Sequence, residues 1–255
     1  MNPISSNSLY MLIRIVAIVL PGLLLWLFMG WARKSGGRTL RPIPAFDAVK
    51  GLLGRMAESG RRVHIALGTS GVGDAQMPIL ACGLAVLRHL ARQGASFGAS
   101  PLTTVADPTS MLLAQDIVYD AYKSRGLQDH YQATDVQMIA PDAAAYAVGV
   151  QDAVNRETVA ANVMIGHFDQ EYLLMGEAGA QRGLIQLAGS DTVDAQPFML
   201  ATSRNVLIGE EAFAAGAYLT QEPKYVASLR VQDVLRVLIV LAIVLGVLWE
   251  TLGPR

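Results

Sequence analysis

Residues 63–75 read VHIALGTSGVGDA, a short apolar run rich in β-formers that breaks into glycines and then, from about Asp74, enters a long apolar-periodic segment. Strand, glycine turn and helix in that order open a parallel α/β unit. Later segments repeat the grammar. Leu102–Ala106 leads through Asp107-Pro108 into a predicted helix ending near Lys123, and Val136–Ala140 leads through Pro141-Asp142 into one ending near Asn155. Val159–Ile165 passes through Gly166-His167 to Asp169 and an apolar helix ending near Gln181. Leu184–Leu187 and Phe198–Thr202 read as a fifth and a sixth strand, and Ile208–Tyr218 as a last helix. The helical spacing of apolar residues over Ala45–Met56 predicts an amphipathic helix ahead of the first strand.

Such alternation implies a mostly parallel sheet with helices on both faces and right-handed crossovers. The expected fold is a three-layer α/β domain resembling the Rossmann class, flanked by N- and C-terminal transmembrane helices. The flanks follow from composition: of 255 residues 52% are hydrophobic and 16% charged, and the apolar surplus sits at the two ends. Leu9–Trp31 is interrupted only by Arg14, and a second apolar run spans Val231–Leu252, with Arg236 placed to snorkel. The predicted organisation is residues 1–32 as an N-terminal transmembrane helix and 33–60 as a basic linker with the amphipathic helix. Residues 61–222 form the α/β domain, and 223–255 a C-terminal transmembrane helix with a short tail. Arg33, Lys34, Arg38, Arg41, Lys224, Arg230 and Arg236 crowd the inner ends of the two runs. By the positive-inside rule the central domain is cytoplasmic and both termini lie across the membrane. Arg14 and Glu250 fall at similar depth and are candidates for an interhelical ion pair. Net charge is −1 with no basic cluster among aromatics, which argues against a nucleic-acid binder.

Chemistry is harder to locate. Gly68-Thr69-Ser70-Gly71-Val72-Gly73 looks like a phosphate loop but has no Walker lysine. A dinucleotide fingerprint begun at Gly71 and Gly73 meets Gln76, and a nucleophile elbow meets Val72. What remains is a turn that permits close backbone approach, with the hydroxyls of Thr69 and Ser70 at a helix start. Asp74, Asp107, Asp142 and Asp169 each fall near the first turn of a helix that follows a strand, hence on the carboxyl edge of the sheet, where open α/β folds bind ligands. Each also suits a helix cap. Together they disfavour a bare phosphate and suit a cation or cationic ligand. His167, at a strand end with Asp169 two residues on, is a candidate acid/base pair. No metal-ligand spacing occurs, no cofactor is indicated, and Cys82, the single cysteine, reads as a core thiol.

Two stretches, YLLMGEAGAQRG over 172–183 and LIGEEAFAAGAYL over 207–219, place small residues on apolar helices. Glycine costs about 1 kcal/mol in a helix interior unless another backbone packs closely. Gly176, Glu177, Gly179, Gly209 and Gly216 are therefore candidates for a subunit interface, with internal helix packing as the alternative.

These stretches, with IALGTSGVGDAQ and the ADPT and APDAAAYAVG junctions between two apolar ends, resemble a family of uncharacterised bacterial membrane proteins known only as a domain of unknown function. The resemblance covers most of the chain from Val63 to the second apolar run. It implies a two-span membrane protein and supplies no activity. The expected function is a membrane-anchored cytoplasmic scaffold, homo-oligomeric or a subunit of a membrane complex, regulated by a small ligand at the carboxyl edge. The alternative is a membrane-bound enzyme using the Ser70, Asp74 and Asp169 rim.

Overall fold

The computed structural model describes residues 3–35, 41–220 and 223–252. It divides into two compact units, one of them Arg41–Thr220 and the other holding the terminal helices. In the latter, α1 (Pro3–Ser35) and α9 (Pro223–Leu252) pack along each other. Within α9 the segment Pro223–Trp249 is long and apolar enough to cross a membrane, its most apolar window reaching a mean hydropathy of 2.4. The apolar stretch of α1, Arg14–Gly30, is shorter than that requirement. Part of the basic linker, residues 36–40, lies outside the described residues, as does the side chain of Glu250 and with it the pairing to Arg14.

Residues 41–220 form a six-stranded parallel sheet. Its strands are β1 (Arg62–Gly68), β2 (Leu102–Val105), β3 (Val136–Met138), β4 (Val159–His167), β5 (Ile185–Gly189) and β6 (Asn205–Leu207). They are ordered β3-β2-β1-β4-β5-β6, the doubly wound order in which direction reverses between β1 and β4. Right-handed crossovers then put α3 (Met77–Gly94) and α4 (Pro108–Lys123) on one face, with α5 (Ala143–Arg156), α6 (Tyr172–Gln181) and α7 (Gln196–Thr202) on the other. The first face is completed by α2 (Pro44–Ser59) and α8 (Ala215–Thr220), so the amphipathic helix is part of this unit. Its buried Phe46 stacks on the Tyr218 ring at 5.1 Å.

Why the chain folds this way is visible in α3. Ile79, Leu80, Gly83, Val86, Leu87, Leu90 and Ala91 recur at helical spacing and are all buried against the sheet. A Cβ on Gly83 would lie 2.5 Å from the Ile165 carbonyl oxygen, so only glycine lets the helix sit this low on β4. Cys82 is half-buried and donates to the Phe213 carbonyl at 3.4 Å, and burial pushes its thiol up to about 12.

Phe198–Thr202, expected as a strand, is part of the seven-residue α7. Pro197 near its start presets a helical φ, and Phe198 and Met199 turn toward the core at helical rather than alternating positions. The sixth strand is Asn205–Leu207 instead. The last predicted helix begins as a 3₁₀ turn over Gly209–Ala214 and becomes α-helical only at Ala215.

Candidate functional site

At the reversal point the loops leaving β1 and β4 are stitched together. The Thr69 N–H and its hydroxyl both donate to the His167 carbonyl at 3.2 Å, and the Gly68 N–H donates to the Tyr146 hydroxyl of α5 at 3.3 Å. Ser70 is 3% exposed, and its hydroxyl has no hydrogen-bond partner among the described residues. Its carbonyl accepts from the Ser110 hydroxyl at 3.3 Å. Helix α3 begins only at Met77, later than the sequence suggests, because residues 71–76 form a turn. The glycines are thereby separated from the helix start.

Asp74 and Asp107 flank Gly71. The Gly71 N–H donates to Asp74 Oδ2 at 2.7 Å, and a Cβ on Gly71 would lie 3.0 Å from that oxygen and 3.1 Å from Asp107 Cγ. Asp107 also caps α4, accepting from the Ser110 N–H at 2.7 Å and the Ser110 hydroxyl at 2.9 Å through Oδ2. Gly73 has φ +96 and turns the chain in open space. Asp142 caps α5 through Ala145 at the outer end of the row and is exposed. Asp169 is exposed beside the loop after β4, where its N–H donates to Glu171 Oε1. The edge therefore brings Thr69, Ser70, Gly71, Asp74 and Asp107 together, with His167 adjoining and Asp142 apart. Among the described residues no group of three or more His, Cys, Asp or Glu is placed to hold a metal ion.

The partner of His167 differs from the expected one. Its Nδ1 lies 2.8 Å from Asp191 Oδ1, across the loops that follow β4 and β5, and Asp169 makes no bond to it among the described residues. Ser190 secures that loop by accepting the Phe168 N–H at 3.1 Å and donating to the Phe168 carbonyl at 3.0 Å, and the Thr192 hydroxyl donates to the same carbonyl. An imidazole held through Nδ1 by a carboxylate presents Nε2 for proton transfer or hydrogen bonding. Sequence reasoning misses Asp191 because β5 extends through Ala188 and Gly189, two residues past its predicted end. A signal exists nonetheless: Gly189-Ser190-Asp191 repeats the strand-to-aspartate pattern seen after β2 and β3.

Beneath this edge runs a buried polar row on the α5–α7 face. His64 of β1, Thr104 of β2, Asn162 of β4 and Gln186 of β5 are all buried. Asn162 Nδ2 donates to Gln186 Oε1 at 3.3 Å, which leaves its Oδ1 to accept from His64 Nδ1 at 2.7 Å. His64 Nε2 then accepts from the Thr104 hydroxyl at 3.0 Å, and Tyr146 donates to the Thr104 carbonyl at 3.0 Å. Gln186 Nε2 ends the row on the carbonyls of Gly176 and Thr202, at 2.9 and 2.7 Å. Burial pushes His64 down to about 4, against the opposing pull of Asn162.

Among known protein families, the model of a domain of unknown function, DUF6754, matches residues 4–254. The chain belongs to the DUF6754 family. No curated protein and no solved structure matches it.

In this DUF6754 chain the small-residue stripes do not form one surface. A Cβ on Gly176 would lie 2.5 Å from the Thr202 hydroxyl, and one on Gly179 would lie 2.3 Å from Gln186 Oε1. Both glycines lie buried in the internal packing of α6 against β5 and α7, the alternative to a subunit interface. Glu177 is exposed and accepts from Gln181 at 3.0 Å. Gly209 has φ +58 with open space around it, the mark of a turn. Gly216 is buried on the opposite side of the sheet, in α8, which packs on α3.

Proposed function

We propose that this chain is a membrane-anchored cytoplasmic α/β domain that binds a small ligand at the carboxyl edge of its sheet and acts as a regulated scaffold, in its own oligomer or in a membrane complex. One observation carries the reading. The strand order reverses between β1 and β4, and there the chain sets a glycine turn, a buried Ser70 hydroxyl with no partner among the described residues, the Asp74 and Asp107 carboxylates and an oriented His167 around one edge. The acidic pair suits a ligand rich in donors or positive charge. Assembly falls to the membrane helices, since Gly176 and Gly179 are consumed inside the domain.

Native mass spectrometry of the detergent-extracted full chain tests this reading. A small molecule should accompany the wild type and be absent from Gly71→Val and Asp74→Ala, whose melting temperatures should fall by only a few degrees. Spectra of the wild type without any bound molecule would remove the ligand, and spectra of monomers only would remove the homo-oligomer. The enzyme reading draws on the His167–Asp191 pair. It gains if the bound molecule differs in mass between wild type and His167→Gln.

The proposed topology has spans at Leu9–Trp31 and Val231–Leu252, with both termini outside a bacterial inner membrane. The basic bias at the inner ends of the spans supports it. A reporter active only in the cytoplasm should work when inserted in the exposed loop at 96–98 and fail when fused at Arg255. The reverse pattern would overturn the orientation.

A further inference from the structure

The amino edge of the same sheet holds a cavity of about 300 Å³, at the small end of the range of small-molecule pockets. Arg62 at the start of β1, Ser100 ahead of β2 and Asp135 ahead of β3 line it together with Phe97, Tyr122 and Gln132. Arg62 is fixed there: Nε donates to the Ser100 carbonyl at 3.0 Å, and Nη2 pairs with Asp135 Oδ1. The Asp135 side chain is 8% exposed and that of Arg62 30%. These bonds leave Arg62 Nη1 as a donor and Asp135 Oδ2 as an acceptor with no protein partner among the described residues.

A clamp that only tied three strand starts together would need neither a cavity nor an open phenyl ring beside it. Phe97, in the 3₁₀ turn Ala95–Phe97, is 56% exposed on the cavity wall. Because guanidinium and carboxylate neutralise each other, the cavity favours neither a phosphate nor a metal ion. It offers a donor and an acceptor, with an aromatic side chain on its wall. We propose that this cavity binds a planar, uncharged heterocycle with an acceptor beside a donor, the chemistry of a nucleobase, hydrogen-bonded by Arg62 and Asp135 and stacked on Phe97. The site is separate from the carboxyl edge and stands or falls without it.

Equilibrium dialysis of the detergent-extracted full chain against adenosine, guanosine, cytidine and uridine in turn is the test. At least one nucleoside should bind saturably, one per chain. Phe97→Ala, at an exposed position that should leave the melting temperature unchanged, should weaken it about tenfold, as expected for loss of base stacking. Arg62→Lys, which keeps the charge but loses the fork, should weaken it also. Asp74→Ala and Gly71→Val at the carboxyl edge should leave the affinity intact. Failure of all four nucleosides to bind at millimolar concentration would overturn the proposal, as would binding that Phe97→Ala leaves unchanged or that Asp74→Ala abolishes.

Discussion

Gly166→Ala is expected to lower the melting temperature of the detergent-extracted chain by roughly 10 °C or to abolish its cooperative transition, followed by circular dichroism. A Cβ on Gly166 would lie 2.1 Å from the Leu67 carbonyl oxygen and 2.4 Å from its carbon. Both are main-chain atoms of the adjacent strand, so no rotamer change relieves the contact. The β1–β4 register shifts at this point, between Ala66 and Gly68, and Gly68 itself has φ +79 with the His167 carbonyl oxygen 2.5 Å from its would-be Cβ. Opening the central strand pair should cost more than about 3 kcal/mol, a large share of a stability of about 5–15 kcal/mol. Gly73→Ala is the control. Its φ of +96 also favours glycine, but nothing crowds it, so only the conformational penalty of about 1–2 kcal/mol applies. Equal losses at the two sites would mean that the close strand crossing contributes nothing.

Acid should destabilise the domain through His64. Its folded-state value of about 4 lies below the ordinary 6.5, so the unfolded chain takes up the proton first. Above pH 6.5 both states are neutral and stability does not depend on this group. As pH falls from 6.5 to 4 the unfolded state is favoured by roughly 1.4 kcal/mol per pH unit, about 3 kcal/mol in all. His64→Gln can still donate to Asn162 and accept from Thr104, and it should flatten that window. The measurement is urea unfolding of both proteins between about pH 7 and 4, taken as a difference so that carboxylates common to both cancel. Parallel pH profiles would sink the assignment.

The alternation of strands and helices is legible because each early strand ends in a glycine turn, after β1, or leads to an aspartate that caps the next helix, after β2 and β3. Asp107 and Asp142 take the cap positions their sequence context implies. Phe198–Thr202 misleads because a short run of apolar and small residues fits either a strand or a turn or two of helix, and only Pro197 distinguishes them. The candidate site is half legible. Residues 68–71 and His167 meet because β1 and β4 are neighbours, which the doubly wound pattern implies. Asp191 and the row through His64 depend on which residues stand opposite one another across strands, and register is a tertiary property. His64 alone looks like any histidine in a strand, and its meaning comes from Thr104, Asn162 and Gln186.

That row also acts on states other than the native one. A sheet of mainly apolar parallel strands has many nearly equivalent alignments, and apolar contacts alone discriminate weakly among them. Slipping any of the four strands by one residue would bury a hydroxyl, an imidazole or an amide without its partner, at about 1–3 kcal/mol for each orphaned group. Competing compact states are raised together while the native alignment is untouched, which widens the energy gap that selects a single folded topology.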